Sequence, residues 1–450
     1  MGYGNISRRS INEALKWDPH LIVGQGTSTD PGPGYLGSDK MYPYHGVESL
    51  KRDFQLSLTT AYENGLLFIH STGPPSGSDL QLEGSLQVID EITKENNMKL
   101  HIAVISGEIS KDYLKQKISQ EEKIERLVDT PRLNKYLTLK DVDRAKRIVA
   151  QMGPEPIMKV LDQKIDGVIT GRALDIGLHM AYPLKHGFDK GLVAQLGKTI
   201  ECGTLCAVPP TGADNIFAWL RNDHFLVRPP NPDKKCTIMS VAGHAFYERP
   251  DITKELNPGG YLDISDAKYE QVDERTVKVS GGKWIPTEYS IKIEGVALIG
   301  YRTISIVGIR DPNLVSNIDE FLQKVKNQVK ERFKDKSPLK YNLVFQTYGK
   351  NAVLGPSEFI VKPNPHELGI VINVIADNQK LAHTICAFTR GRIFFNDYPK
   401  KTTTAGNVAV LFSPGDVDLG PVYNWNIWHA LKLDNPCEPF EVKIIDFPRG

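Results

Sequence analysis

At 450 residues the chain is too long for one ordinary hydrophobic core, so two or three domains are expected. With 40% hydrophobic and 24% charged residues and a mean hydropathy of −0.31, its composition is that of a soluble globular protein. A formal net charge of +1 supplies no long-range pull toward nucleic acid or an anionic membrane, and neither is expected as a partner. The longest apolar runs, such as "GVALIGYRTISIVGI" (295–309), contain Arg302 and several hydroxyls and fall short of the ~20 apolar residues of a membrane span. The N-terminus lacks an apolar signal core, and Ile6 stands where a myristoylation pattern needs Ser or Thr. Five cysteines (202, 206, 236, 386 and 437) are a sparse, odd set, which points to reduced thiols and a cytoplasmic setting. Cys202 and Cys206 have the spacing of one helix face, but no second Cys/His pair lies at zinc-finger spacing, so buried structural thiols are expected.

The first 200 residues alternate apolar strands with amphipathic helices. Strands are predicted at 20–26, 66–73, 99–108 and 165–171. Helices are predicted over "VESLKRDFQLSLTTAYENG", "LQVIDEITKEN", "TLKDVDRAKRIVAQM" and "GPEPIMKVLDQ". This rhythm argues for an α/β fold, a mostly parallel sheet covered by helices on both faces. From about 257 the pattern turns to alternating apolar and polar residues, as in an antiparallel β-rich segment. A helix with an Asp-Pro start is predicted over 311–336, followed by strands "YNLVFQTYG" and "ELGIVINVIA", a helix "NQKLAHTICAFTRGRIFF" and a last strand "FEVKIIDF". That order suggests a smaller α+β sandwich. The expected division is therefore 1–256 for the doubly wound domain bearing the site, 257–310 for the β-rich segment and 311–450 for the α+β domain.

Each early strand ends in a polar, glycine-bearing turn: "GQGTSTDPG", "HSTGPPSG", "SGEIS" and "TGRALD". Ligands of open parallel sheets bind at the carboxyl ends of the strands, so these turns should converge on one rim. The first turn is no nucleotide fingerprint: Thr29 falls on the third glycine position of GxGxxG, the GK[ST] ending of a P-loop is missing, and Asp30 would repel phosphate. Its Pro-Gly steps fix Ser28, Thr29 and Asp30 near the strand end, either as a turn capped by its own Asp or as a wall facing substrate. His70, followed by Ser71 and Thr72, is either an acid–base group or a satisfied structural donor. Glu108 lies just past the third strand. Arg172 and Asp175, three apart, are either an anion clamp with its orienting carboxylate or a local pair at a helix start. Asn222, Asp223, His224 and His244 add weaker acid–base or ligand candidates. There is no GxSxG and no HExxH.

Taken in order, a set of stretches resembles one known family. They are "STDPGPGYLGS" (28–38), "IVAQMGPEPI" (148–157), "GVITGRALDIGL" (167–178), "ECG" (201–203), "RNDHFLVRPPNP" (221–232), "SVAGHAFYE" (240–248), "YEQVDERTVKVSG" (269–281), "GYRTISIVGIRDP" (300–312) and "TTAGNVAVLFSPGDVDLGPVYNW" (403–425). On these the chain resembles the acyclic terpene utilisation AtuA family. The resemblance implies a catabolic protein handling acyclic terpenes or other branched acids as CoA thioesters. Longer relatives carry a further ferredoxin-like domain, and shorter ones look as if they work with a small separate subunit, so a hetero-oligomer is implied. Relatives also have a strand ahead of the segment resembling "GYG", where this chain begins. Their first loop reads Asp-Ala-Gly where this one reads Gly-Gln-Gly, and Gln25 takes no proton at neutral pH.

The combined expectation is lyase, hydratase or isomerase chemistry on a small branched carboxylate or its CoA ester. His70 or Glu108 would move the proton, Arg172 would clamp, and Asp30 and Asp175 would orient. Ser28, Thr29, Ser71, Thr72, Asn222 and His224 would contact substrate. The cofactor is left open, with a divalent cation on Asp30, Glu108 or Asp175 as one option. The alternatives are a non-catalytic binding or scaffolding subunit that needs its small partner, and a metal-dependent hydrolase.

Overall fold

The structure, a computed structural model, describes residues 6–43, 46–128, 133–210, 214–247, 249–336, 340–360, 363–404 and 407–450. The "GYG" segment at residues 2–4 and positions 248 and 405–406 of the family-like stretches lie outside the described residues. The chain divides into two compact units, Met1–Ala297 with Trp425–Gly450, and Leu298–Asn424.

In the first unit, strands form at Leu21–Gly24, Leu67–Ser71, Leu100–Ile105 and Gly167–Thr170. They pair parallel, in the spatial order 21–24, 67–71, 167–170, 100–105. Because successive side chains alternate faces, Phe68, Ile102, Val104 and Ile169 share one core cluster. Phe54 and Leu58 of the Val47–Asn64 helix, with Leu86 and Ile89 of the Asp79–Glu95 helix, complete it. Ile69, Ala103, Ile105 and Val168 join the opposite cluster, with Ile157 and Val160 of the Glu155–Val160 helix and Leu178 and Ala181 of the Asp175–Lys185 helix. A parallel sheet buried on both faces explains why its strands read as almost unbroken apolar runs.

Three elements differ from the sequence expectation. The predicted long helix over "TLKDVDRAKRIVAQM" is only Leu139–Arg144, opened by a reciprocal Thr138–Asp141 capping box. Ala145 turns extended (φ −61°, ψ 135°), and Ala145–Ala150 runs as a strand antiparallel to Ile293–Ala297. The β-branched Ile148 and Val149 are buried there, and this packing overrides the helical propensity of the charged residues before them. The last strand, Val442–Phe447, pairs antiparallel with Leu100–Ile105 and closes that edge of the parallel sheet rather than joining the C-terminal sandwich. Cys202 and Cys206 share no helix face: Gly203–Cys206 is a 3-10 turn, and the buried Cys206 thiol meets the buried Cys236.

The alternating segments after residue 253 are antiparallel, as expected. Lys254–Asn257, Gly260–Asp263 and Lys283–Pro286 form one small sheet. Lys268–Gln271 and Val277–Ser280 continue a second sheet begun by the hairpin Phe217–Leu220/Phe225–Arg228. In the second unit, Tyr301–Ile309 and Tyr341–Tyr348 flank Leu368–Ala376, both antiparallel to it. The helices Ile318–Arg332 and Gln379–Phe395 cover one face, with Phe321, Val325, Ile385 and Cys386 packed on Ile370, Ile372 and Val374. Asp311 caps the turn before the first of these helices, accepting from the backbone of Asn313 and Leu314.

Candidate functional site

The turns after the parallel strands approach one another through glycine. A Cβ on Gly77 would stand 2.3 Å from the Arg172 backbone nitrogen, and one on Gly107 would stand 2.1 Å from it. Backbone hydrogen bonds lock this approach: Arg172 N–H donates to the Gly77 carbonyl, Gly171 N–H to Ile105, and Thr72 N–H to Thr170. Gly26 N–H donates to the Ser71 hydroxyl at 2.8 Å, which ties the first turn to the second.

Arg172 is the centre of this arrangement and is 3% exposed. Its Nε donates to Glu294 Oε2 at 3.1 Å, and one terminal nitrogen donates to the carbonyls of Thr27 and Ala173 and reaches Asp175 Oδ1 at 3.5 Å. Glu294, fully buried, also accepts from Thr29 Oγ1 at 2.5 Å and pairs with Lys292 at 2.8 Å. Burial works against its charge, yet Arg172 and Lys292 outweigh burial and hold this carboxyl below the usual range.

Asp175 differs from its neighbours because 37% of its side chain stays accessible. Its Oδ1 accepts from Gln25 at 2.7 Å. The crowding of protein around it raises its carboxyl above the ordinary value, against the pull of Arg172, the Gln25 hydrogen bond, Lys198 and Lys292. Lys198 and Glu201, both buried, form a 2.6 Å pair on the neighbouring helix. Burial pushes Glu201 up to about 8, opposed by Lys198 and reinforced by the charge on Asp175. The cluster thus joins one accessible carboxyl to a buried network of cations and carboxylates.

The other expected residues are distributed differently. Ser28 and Asp30 hydrogen-bond each other within the turn, Oγ to Oδ2 at 2.8 Å, and Asp30 is exposed. Thr72 donates its hydroxyl to the Pro74 carbonyl. Glu108 accepts from the backbone N–H of Asp79 and so caps the Asp79–Glu95 helix, with its carboxyl raised by burial. His70 lies inside the helix–sheet core: it is fully buried, its Nε2 is 2.9 Å from Ser57 Oγ, and its ring packs on Phe54 and Phe68. Burial drops it to about 3, so it stays neutral there. Asn222 is exposed and His224 half-buried at the tip of the Phe217–Leu220/Phe225–Arg228 hairpin, where His224 bonds Asp223. His244 is buried and stacks on Tyr247.

The carboxylates of Asp30, Glu108 and Asp175 each have separate partners. No group of three His, Cys, Asp or Glu side chains arranged to hold a metal occurs among the described residues. Sequence reasoning passed over Glu294, Lys292, Lys198, Glu201 and the contact that Gln25 makes. The signal for Glu294 was present: with Lys292 it places two charges inside "IKIEGVALIG", a strand run that is otherwise apolar.

A family model described as acyclic terpene utilisation family protein AtuA matches residues 49–213 and 223–405, well over half of the chain. Comparison with curated proteins and with solved structures gives no match.

Proposed function

The chain belongs to the acyclic terpene utilisation family AtuA, and from that premise we propose that it is a catabolic enzyme moving a proton next to the carbonyl of a small branched acid or its CoA thioester. The observation that carries this reading is Asp175, an accessible carboxyl with a raised pKa set against buried cations. A base poised nearer neutral pH is what proton abstraction beside an acyl group requires. Lys292, a quarter accessible at 24%, is the cation that would face the developing enolate oxygen. Arg172 and Glu294 are positioning residues, since their bonds are spent inside the protein. In a hydration, Asp175 takes a proton from water as its oxygen bonds to C3 of a 2-enoyl thioester, and a proton returns to C2.

The test is turnover of a branched 2-enoyl-CoA and deuterium exchange at C2 in heavy water. Asp175→Asn is expected to lower both by roughly 10²–10⁴-fold while leaving the unfolding midpoint close to that of the wild type. Full activity in Asp175→Asn, or no turnover and no exchange in the wild type, would sink the reading. A second reading, a non-catalytic binding or scaffolding subunit, is favoured by one observation: Gln25, which carries no transferable proton, occupies the Asp175 carboxylate at 2.7 Å. Saturable binding of the acyl-CoA without exchange would select it.

We also propose a cytoplasmic setting, supported by the sparse, odd set of five cysteines, and association with a second chain, either another copy or a small partner subunit. The exposed apolar side chains of Val353, Phe359, Ile360 and Leu411 support association. Sedimentation of the purified chain alone and of the co-expressed pair reads the assembly directly. Among the described residues no helix is long and apolar enough to cross a membrane.

A further inference from the structure

A cavity of about 390 Å³ lies in the first unit beside the edge strand Leu21–Gly24. Its walls are mainly hydrocarbon and aromatic, with Ile22, Leu196, Phe217 and Trp219 among them. The volume lies within the range of about 300–1,000 Å³ that small-molecule sites occupy. At its edge stand three exposed polar side chains, His20, His186 and Arg221.

Two polar side chains are set into this apolar lining. His179 and Asn215 are each 5% exposed, and both line the cavity. Neither ring nitrogen of His179 has a hydrogen-bond partner among the described residues, and neither amide atom of the Asn215 side chain has one. A buried polar group left unpaired is costly, so two such residues in the wall of one cavity point to something that meets them there. Burial holds His179 neutral, so it offers one donor and one acceptor, while Asn215 offers an amide and a carbonyl. Neither supplies a charge for a carboxylate or an ammonium.

We propose that this cavity binds an uncharged amphiphile, a hydrocarbon body carrying one hydroxyl or carbonyl group that His179 and Asn215 receive. Hydrocarbon walls take the chain, and the two side chains fix the polar group and discriminate against a charged one. The cavity and the Asp175 cluster share two elements. The Asp175–Lys185 helix begins at the cluster and reaches the cavity one turn later at His179, and the edge strand lines the cavity before running on to Gln25. The proposal stands apart from the chemistry assigned to that cluster, and its test needs no turnover.

Titration of the full chain with 1-decanol, against decanoate at pH 8, reads it. Trp219 is in the wall, so its fluorescence reports occupancy, and Trp219→Phe should remove the optical change but not the heat measured by calorimetry. We expect saturable, equimolar decanol binding, with decanoate at least about tenfold weaker because a buried charge goes unpaired. Asn215→Leu and His179→Phe should each weaken decanol by about 5–20-fold, the worth of one or two buried hydrogen bonds. Ala218→Phe and Ala14→Phe, which place a ring among the lining residues, should abolish binding. Circular dichroism identifies any variant that fails to fold, and the remaining ones decide. No saturable decanol binding, decanoate bound as tightly as decanol, or unchanged affinity in the folded polar and filling variants would overturn the proposal.

Discussion

Arg172 and Glu294 lie 122 positions apart in the chain and make one buried ion pair, and this separation governs what either residue means. Removing one partner of a buried pair leaves an uncompensated charge and costs about 3–5 kcal/mol, whereas an exposed pair is worth less than about 1 kcal/mol. Glu294→Gln should therefore lower the urea unfolding free energy by about 3 kcal/mol or more. Glu13→Gln, which breaks a surface pair with Lys16, should leave it nearly unchanged. Equal effects of the two would show that the Arg172 network contributes nothing special. The sequence reading placed Arg172 and Asp175 together because three residues on a helical turn are neighbours by geometry alone. Glu294 was visible only as a charge within a strand; such a residue ordinarily points to water, and its inward position is tolerable only through Arg172, a partner too distant in sequence to be read. His70 shows the converse. Its place at a strand end was legible, but the core around it is supplied by Phe54, by Ser57 and by the absence of a side chain on Gly24, where a Cβ would meet its ring at 2.5 Å.

At the scale of elements, the parallel strands were legible because burial on both faces leaves a run of apolar residues that ends abruptly in polar turns. The strand Ala145–Ala150 was not, because a capped helical turn leads directly into it and its partner, Ile293–Ala297, is distant in sequence. The turns that carry the cluster depend on backbone contacts that no hydrophobic pattern encodes. Gly107 has an ordinary backbone conformation, yet an added methyl group would lie 2.1 Å from the Arg172 nitrogen, so backbone rather than a flexible side chain must yield. Gly34, inside the short Pro33–Gly37 helix, has nothing within 4 Å of the same added carbon. Gly107→Ala is thus expected to destabilise by roughly 2–4 kcal/mol through displaced backbone. Gly34→Ala should be neutral or stabilising by up to about 1 kcal/mol. Thermal unfolding of the two variants side by side measures the difference, and a Gly107→Ala protein as stable as the wild type would mean that the turns are not held in contact.

For the whole molecule the buried titratable groups set how stability depends on pH, and two sets act in opposite senses. Burial lowers His70 and His179 to about 3 and His244 and His429 to about 4 in the folded chain, against 6.5 when unfolded. As pH falls below about 6.5 the unfolded chain takes up protons that the native one refuses, so stability is lost, by up to about 1.4 kcal/mol per pH unit for each group. Glu201 runs the other way: raised from 4.5 to about 8, it binds a proton in the native state first, so stability falls as pH rises from about 4.5 to 8. Above pH 6.5 the glutamate decides the slope, and below it four histidines outweigh one glutamate. Stability should therefore peak near pH 6.5–7 and fall by roughly 2–4 kcal/mol per unit on the acid side. All five tryptophans, at 17, 219, 284, 425 and 428, belong to the unit that holds these groups, so tryptophan-detected urea unfolding reads that unit directly. His70→Gln should remove about one proton's worth of the acid slope even if the variant is less stable at every pH, whereas Glu201→Gln should flatten only the limb above pH 6.5. A native state whose stability holds steady or rises between pH 6.5 and 5 would show that these imidazoles take protons where they stand, and the neutral histidines in the core beside the cluster and in the cavity wall would have to be reassigned.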